Sequence, residues 1–255
     1  MLQLCIPARD EAPSIGLLLW TIRKVFREYA RDFGVVVYDD GSRDATREVL
    51  APYAEVLPLT VIGDSTPRGY AHAIDALARH VARTARYARR DAMVLLQGDL
   101  TDQPLYIPEM VRRFEGGADV VLAERDGGTS APKAVQRLRK VAPWLLKPVV
   151  SFAGVHDPFA TMRLIRVAVV KDIVKAAGER PIVSGADWAA NLELLAATLP
   201  HTRRIETIGV TPRYDLRQRD TRREAWRDAV NLGRWAWGAR SQLRSAASRM
   251  TVKTP

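Results

Sequence analysis

Short apolar runs alternate with longer amphipathic segments through the first half of the chain. The runs LQLCIP, VVVY, LPLTVI, MVLLQ and DVVLA have the length of strands. Between them, segments near Ser14 to Tyr29, Arg43 to Tyr53, Tyr70 to about Arg86 and Ile107 to Phe114 space their apolar residues as helices do. Strict alternation of strand and helix predicts parallel strands joined by right-handed crossovers, and hence a doubly wound α/β sheet. After Glu124 the pattern breaks. ERDGGTSAPK is turn-rich, and Val135 to Val155 is apolar but interrupted by Pro143, Lys147 and Pro148, which predicts kinked helices in place of another strand-helix unit. Beyond it, Asp157 to Ile165 is expected to be extended, Val167 to Ala177 and Asp187 to Thr198 helical, and Arg204 to Val210 a strand. Thr221 to about Arg249 is a basic helical segment with Trp226, Val230, Gly233 and Trp237 along one face. No repeat or low-complexity linker divides the chain. The expectation is one domain over residues 1–220, with residues 221–255 a basic helix packed on it or extending it.

Two strands end in acids. MVLLQGDLTD runs four apolar residues into a turn carrying carboxylates, and VVVYDDGSRDAT does the same earlier. A buried strand ending this way presents its acids at the carboxyl edge of the sheet, where open α/β folds place ligands. Two such ends predict one shared polar cleft, suited to a divalent metal and a diphosphate.

Composition narrows the classes. With 255 residues and 47% hydrophobic content, the chain can bury a continuous core. Its single cysteine, Cys5, lies inside the first apolar run, which excludes an internal disulfide and a cysteine metal cluster. No stretch of about 18 uncharged apolar residues occurs. The start MLQLCIPARDEA has no basic region leading into a signal-peptide core, so a cytoplasmic protein is expected. The net charge is +10, and Arg203 to Pro255 hold 13 Lys or Arg against 5 Asp or Glu. That concentration suits phosphates, an anionic membrane surface or nucleic acid. No zinc-finger spacing or aromatic RNA-binding signature accompanies it, which argues against nucleic acid.

IPARDEA at Ile6 to Ala12, DDGS at Asp39 to Ser42 and the acidic turn after MVLL together resemble the family 2 glycosyltransferases of GT-A fold, and within them the polyprenyl-phosphate (dolichol-phosphate) mannosyl- and glucosyltransferase group. The resemblance runs from Leu2 to about Arg223. It implies an inverting transfer from a UDP- or GDP-sugar to a polyprenyl phosphate, or to a small-molecule or saccharide acceptor. It places the nucleoside against Pro7, Ala8, Arg9, Glu11, Asp39 and Asp40. A strand-end carboxylate can accept from a ribose hydroxyl or a base N–H. Turn chemistry explains Asp39 and Asp40 in another way, and helix capping explains Asp10, Ser42 and Asp44. Arg68 and the following Gly69, Tyr70 and Ala71 resemble the family's GKGxA turn, a helix start with an adjacent cation; structural capping accounts for the same residues.

At the fourth strand the chain departs from the family's DADLQ. Gln97, Gly98, Asp99, Leu100 and Thr101 stand there, leaving Asp99 as the certain carboxylate and candidate ligand of Mg²⁺ or Mn²⁺. The metal site is thereby thinned, and a noncatalytic nucleotide-sugar or anionic-lipid binding protein becomes an alternative. Asp102 is expected to cap the entry to the next helix. DPFATMRLIR resembles the family's DPTSGFRLYR, putting Asp157 on the acceptor side, unless an Asp157 to Arg163 pair merely holds the loop. In SGADWAANLELL, Asp187 takes the general-base position of many inverting members and Glu193 the glutamate of the polyprenyl-phosphate group. Arg217 and Arg219, in RQRDTRR, fall where relatives carry an RxxGxSK-like loop over the donor diphosphate. Trp144 to Phe152 and the Trp-bearing C-terminal helix suggest peripheral membrane contact, although such tryptophans also pack helices onto their own domain.

Overall fold

The computed structural model describes residues 1–125, 155–185 and 188–216, together with Gly233, Trp237, Gly238 and Arg240. Seven strands form one sheet: β1 (Leu2–Ala8), β2 (Phe33–Asp40), β3 (Leu59–Asp64), β4 (Ala92–Leu95), β5 (Val120–Arg125), β6 (Arg163–Arg166) and β7 (Ile205–Val210), in the order β3-β2-β1-β4-β6-β5-β7. The helices are α1 (Ala12–Glu28), α2 (Thr46–Leu50), α3 (Tyr70–Thr84), α4 (Ile107–Glu115), α5 (Val167–Ala177) and α6 (Trp188–Thr198).

Every residue of β1 is buried, as a central strand covered on both faces requires. Its alternate side chains serve two cores. Leu2, Leu4 and Ile6 join a cluster with Ile15, Leu18, Leu19 and Ile22 of α1 and with Met110 and Phe114 of α4. Cys5 faces the opposite cluster, with Ile74 and Leu77 of α3, Val170 of α5 and Leu194 of α6. The inward residues of α1 recur at steps of three and four, so one helical stripe meets one sheet face. The edge strand β3, by contrast, is half-exposed along its length.

The expected strand-helix alternation and a mostly parallel doubly wound sheet are present, with β6 the strand that strict alternation does not account for. β6 lies antiparallel between β4 and β5, pairing Val94 with Leu164 on one side and Val121 with Leu164 on the other. Four residues, RLIR, fill that gap, and Arg163, Leu164 and Ile165 are buried. Periodicity reports whether a segment is extended and cannot report which neighbours it joins. The helix expected from Arg43 to Tyr53 is α-helical over Thr46–Leu50 and continues as a 3₁₀ turn over Ala51–Glu55. Pro52 has no N–H to continue the α ladder. The kinked segment from Val135, the boundary at residue 220 and most of the basic C-terminal segment lie outside the described residues.

Candidate functional site

β2 and β3 extend to one side of β1, and β4 lies on the other. Such a reversal sends neighbouring crossovers to opposite faces and opens a crevice beyond the strand ends. Pro7, Ala8, Arg9 and Glu11 stand at the end of β1, and Gln97, Gly98 and Asp99 at the end of β4. The two turns touch: a Cβ on Gly98 would sit 3.4 Å from both the Pro7 carbonyl oxygen and Cγ of Glu11. The structure thus brings together the sequence-predicted residues of strands one and four, with those of β2 alongside.

On the β2 side the carboxylates hold turns. Asp39 is fully buried, accepts the Ser42 N–H at 3.0 Å and pairs with Arg47 Nε. Burial alone would raise its carboxyl pKa; the bonds from Ser42 and Arg47 outweigh burial and leave it lowered. Asp40 accepts the N–H groups of Arg68 at 2.6 Å and Gly69 at 3.0 Å, tying the start of α3 to the end of β2. Only glycine fits between them at position 41, where φ is +64° and a Cβ would lie 2.7 Å from the Pro67 nitrogen. Both acids therefore perform the turn chemistry that was the alternative to ligand contact. A carboxylate offers about four lone-pair sites, so this does not exhaust their capacity to accept. The Arg68 guanidinium leans toward Asp64, at 3.6 Å, and is more than half exposed.

The smaller polar residues divide. Asp44 caps helices as expected, accepting from Ala12 N–H at 3.0 Å and Thr46 N–H at 3.0 Å. Asp10 and Ser42 instead clasp the two turns: Asp10 accepts from Arg43 N–H, and Ser42 Oγ accepts from Asp10 N–H. Glu11 accepts from the Ser14 hydroxyl at 2.9 Å, while its own N–H donates to Thr46 Oγ1. Arg9 Nε is buried without a hydrogen-bond partner among the described residues and lies 3.9 Å from Asp10 Oδ2.

On the β4 side the side chains bond one another across long sequence distances. Gln97 Nε2 donates to the Tyr70 hydroxyl at 2.8 Å, and that hydroxyl donates to Asn191 Oδ1 at 3.1 Å. Arg163, only 1% exposed, donates through Nη1 to the Asn191 carbonyl at 2.9 Å and through Nη2 to the Ala160 carbonyl. Burial pulls its pKa down to about 10, which leaves it charged at neutral pH. Among the described residues these carbonyls, and not the alternative Asp157 ion pair, hold the guanidinium, while the Asp157 charge still acts on it. Asp157 accepts from the Phe159 N–H at 3.2 Å, and Glu124 at the end of β5 receives the N–H groups of His156 and Asp157.

Asp102 is not the expected helix cap. It is buried and accepts from Gln97 N–H at 3.0 Å and from the Thr161 hydroxyl at 2.8 Å, linking the β4 turn to the segment before β6. Glu193 accepts from the N–H groups of Ser184 and Gly185, which orders the approach to α6. Asp187, Arg217 and Arg219 lie outside the described residues. Sequence reasoning passed over Asn191 and Glu124. Each had a signal: Asn191 is an amide inside the apolar run WAANLELLAA, and Glu124 is a third acid at a strand end.

The donor set for a divalent metal is thin. Asp99 is buried, and its Oδ1 accepts from Thr101 N–H at 3.2 Å. Gln97 stands where the first aspartate of the DADLQ pattern would lie, and its amide nitrogen donates to Tyr70. Among the described residues no group of three His, Cys, Asp or Glu side chains could hold a metal ion. These residues do not form a protein cage; a cation at Asp99 would depend on phosphate oxygens and water.

Comparison with known proteins agrees with this geometry. Over 128 residues the chain is 33% identical to an undecaprenyl-phosphate 4-deoxy-4-formamido-L-arabinose transferase of Pseudomonas paraeruginosa, covering 49% of this chain and 36% of that protein. Over 175 residues it is 27% identical to a prophage bactoprenol glucosyl transferase homolog of Escherichia coli, covering 68% and 54%. The chain thus spans between a third and just over half of these relatives. Among solved structures, glucosyl-3-phosphoglycerate synthase of Mycobacterium tuberculosis in complex with phosphoglyceric acid superposes with a TM-score of 0.62 at 16% identity, over 97% of this chain and 80% of that one. The same enzyme with Mn²⁺, UDP-glucose and phosphoglyceric acid gives 0.60 at 16% identity, again over 97% and 80%. These likenesses show a GT-A fold. The model of Glycosyl transferase family 2 matches residues 3–174, more than half of the sequence, and the chain belongs to that family.

Proposed function

We propose that the chain transfers a sugar from a UDP- or GDP-sugar to a polyprenyl phosphate, by one inverting displacement at the anomeric carbon. The observation that carries this reading is the convergence of the β1, β2 and β4 ends at the switch point, in a chain of this family. Pro7, Ala8, Arg9, Glu11, Asp39 and Asp40 hold the nucleoside, with Arg68 beside them. Gln97, Gly98 and Asp99 face the diphosphate, and Arg217 and Arg219 neutralise the charge that builds on it as the sugar leaves. Asp157 lines the acceptor side. The lipid acceptor is supported by the relatives named for undecaprenyl phosphate and bactoprenol, and the donor by the synthase solved with UDP-glucose.

A phosphate acceptor is already ionised and nucleophilic at neutral pH, whereas a hydroxyl needs a base. Asp187→Asn therefore tests the acceptor: turnover close to wild type supports the phosphate, and collapse supports a hydroxyl. The primary experiment is a thermal-shift panel of UDP-, GDP- and CDP-sugars with and without Mg²⁺ or Mn²⁺, followed by nucleoside diphosphate release with and without polyprenyl phosphate. Stabilisation by a UDP- or GDP-sugar and release that requires the lipid are the expected results. Stabilisation without release in any condition favours a nucleotide-sugar binding protein, a reading that the tied amide of Gln97 supports.

A further inference from the structure

The outward face of α1 presents to solvent what a helix on a globular protein ordinarily buries. Ile15, Leu18, Leu19, Ile22 and Phe26 already fill its core stripe. On the opposite stripe Leu17 is 48% exposed and Trp20 52% exposed, followed by exposed Arg23, Lys24 and Arg27. Lys24 Nζ lies 5.9 Å from the centre of the Trp20 ring, and Trp20 lines one recess with Arg23, Lys24, Arg27 and Glu28. The neighbouring 3₁₀ turn Pro104–Tyr106 packs on α1 and adds Leu105, 56% exposed. Three of the large apolar side chains exposed among the described residues thus belong to two packed elements.

The placement relative to the cleft is specific. α1 starts immediately after the Arg9 to Glu11 turn, and Leu105 follows the Gln97 to Asp102 turn, so along the helix Leu17 lies nearer the β1 turn than Arg23, Lys24 and Arg27 do. Charge decides among occupants. Against three cations the exposed part of this face carries one acid, Glu28. A second copy of the chain paired symmetrically would bring like charges together, which costs free energy. An anionic bilayer satisfies both ends: tryptophan and leucine enter the headgroup boundary, and Arg23, Lys24 and Arg27 meet lipid phosphates.

We infer that the outward face of α1, with Leu105, is a docking surface for an anionic phospholipid bilayer and brings the cleft to the membrane. This deepens the lipid-phosphate reading of the site and rests on it for its purpose, though not for its test. No helix of the described residues is long and apolar enough to cross a membrane, so surface attachment is the form of contact these residues offer.

The test is cosedimentation of the full chain with vesicles of phosphatidylcholine alone and of phosphatidylcholine with phosphatidylglycerol. Binding to the anionic vesicles only, weakening as salt rises, is expected. Lys24→Gln with Arg27→Gln should lower affinity about fivefold per charge, roughly 25-fold together. Leu17→Ser with Trp20→Ala should weaken binding to the same vesicles independently of salt. Failure of the wild type to bind anionic vesicles, or equal binding by both double variants, overturns the inference. So does a wild-type dimer in solution that Trp20→Ala dissolves, or capture by an acidic polypeptide in place of vesicles. Circular dichroism melts of both variants establish that each is folded. Thermal shifts with UDP- and GDP-sugars separate the two readings: all variants should keep the wild-type shift, and its absence in wild type defeats the glycosyl-transfer reading while leaving the vesicle result intact.

Discussion

The two sides of the switch point hold their polar groups by different means. Around β2, acids are fastened by backbone N–H groups: Asp39 by Ser42, Asp40 by Arg68 and Gly69, Asp44 by Ala12 and Thr46. Around β4, side chains meet side chains from remote parts of the chain: Gln97 with Tyr70, Tyr70 with Asn191, Asp102 with Thr161. Asp39 finds its partners within its own turn and the following helix, but Asp40 reaches Arg68 and Gly69 and Asp44 reaches Ala12, so the first arrangement also joins separate segments, through backbone N–H groups. In the second, the bonds to Asn191 and Thr161 exist only when α6 and the segment before β6 are packed in place. Both sides depend on contacts between separate segments, and they differ in the partner: backbone N–H groups around β2 and side chains around β4.

Arg163 is where that contrast breaks most sharply. Arg163→Ala removes a buried cation from two carbonyls and leaves a cavity, and should cost about 4 kcal/mol of stability in a urea melt. A loss below about 1 kcal/mol would show that the β4 side does not rest on it.

Asp102 sharpens the same contrast through pH. Burial, the largest influence, pushes its carboxyl up from 3.8 to about 6, against the bonds from Gln97 and Thr161 and the nearby Arg125. The folded state therefore binds this proton more tightly than the unfolded chain. Its stabilising contribution is complete below about pH 4 and is lost as pH rises through about 6. Asp102→Asn cannot ionise, so relative to wild type it should gain on the order of 3 kcal/mol between pH 4 and pH 7. Parallel pH profiles of the two proteins would contradict the assignment.

Smaller effects are expected from single bonds on either side. Asp40→Ala orphans the Arg68 and Gly69 N–H groups and should cost about 2 kcal/mol, with Asp40→Asn, which keeps an acceptor, costing about half as much. Tyr70→Phe removes the hydroxyl between Gln97 and Asn191 and should cost about 1 kcal/mol. If Tyr70→Phe instead exceeds Asp40→Ala in the same urea series, the side-chain network around β4 and not the backbone-anchored acids around β2 is the stiffer half.

Much of this architecture was legible in the residues. The apolar runs located β1, β2, β4 and β5, and the acids after VVVY and MVLL marked the strand ends that come together at the switch point, because a strand's carboxyl end fixes where the next few side chains go. The same rule applied to Glu124 would have found the third acid, which orders His156 and Asp157. Asp102 was misplaced for a different reason. A carboxylate near a helix start satisfies the capping pattern locally, yet here its partners are Gln97, five residues before it, and Thr161, far along the chain.

The outward face of α1 shows the limit from the other direction. Leu17 and Trp20 are apolar at helical spacing and look like core until Ile15, Leu18, Leu19 and Ile22 are seen to fill the stripe against the sheet. Sequence by itself determined which segments are strands and helices, where acids meet strand ends and how charge is distributed, since each follows from local period and composition. Tertiary structure alone decided that β6 enters antiparallel between β4 and β5, that Gln97 gives its amide to Tyr70, and which face of α1 meets water. Those outcomes depend on contacts between residues distant in sequence, and local patterning carries no record of which distant groups will meet.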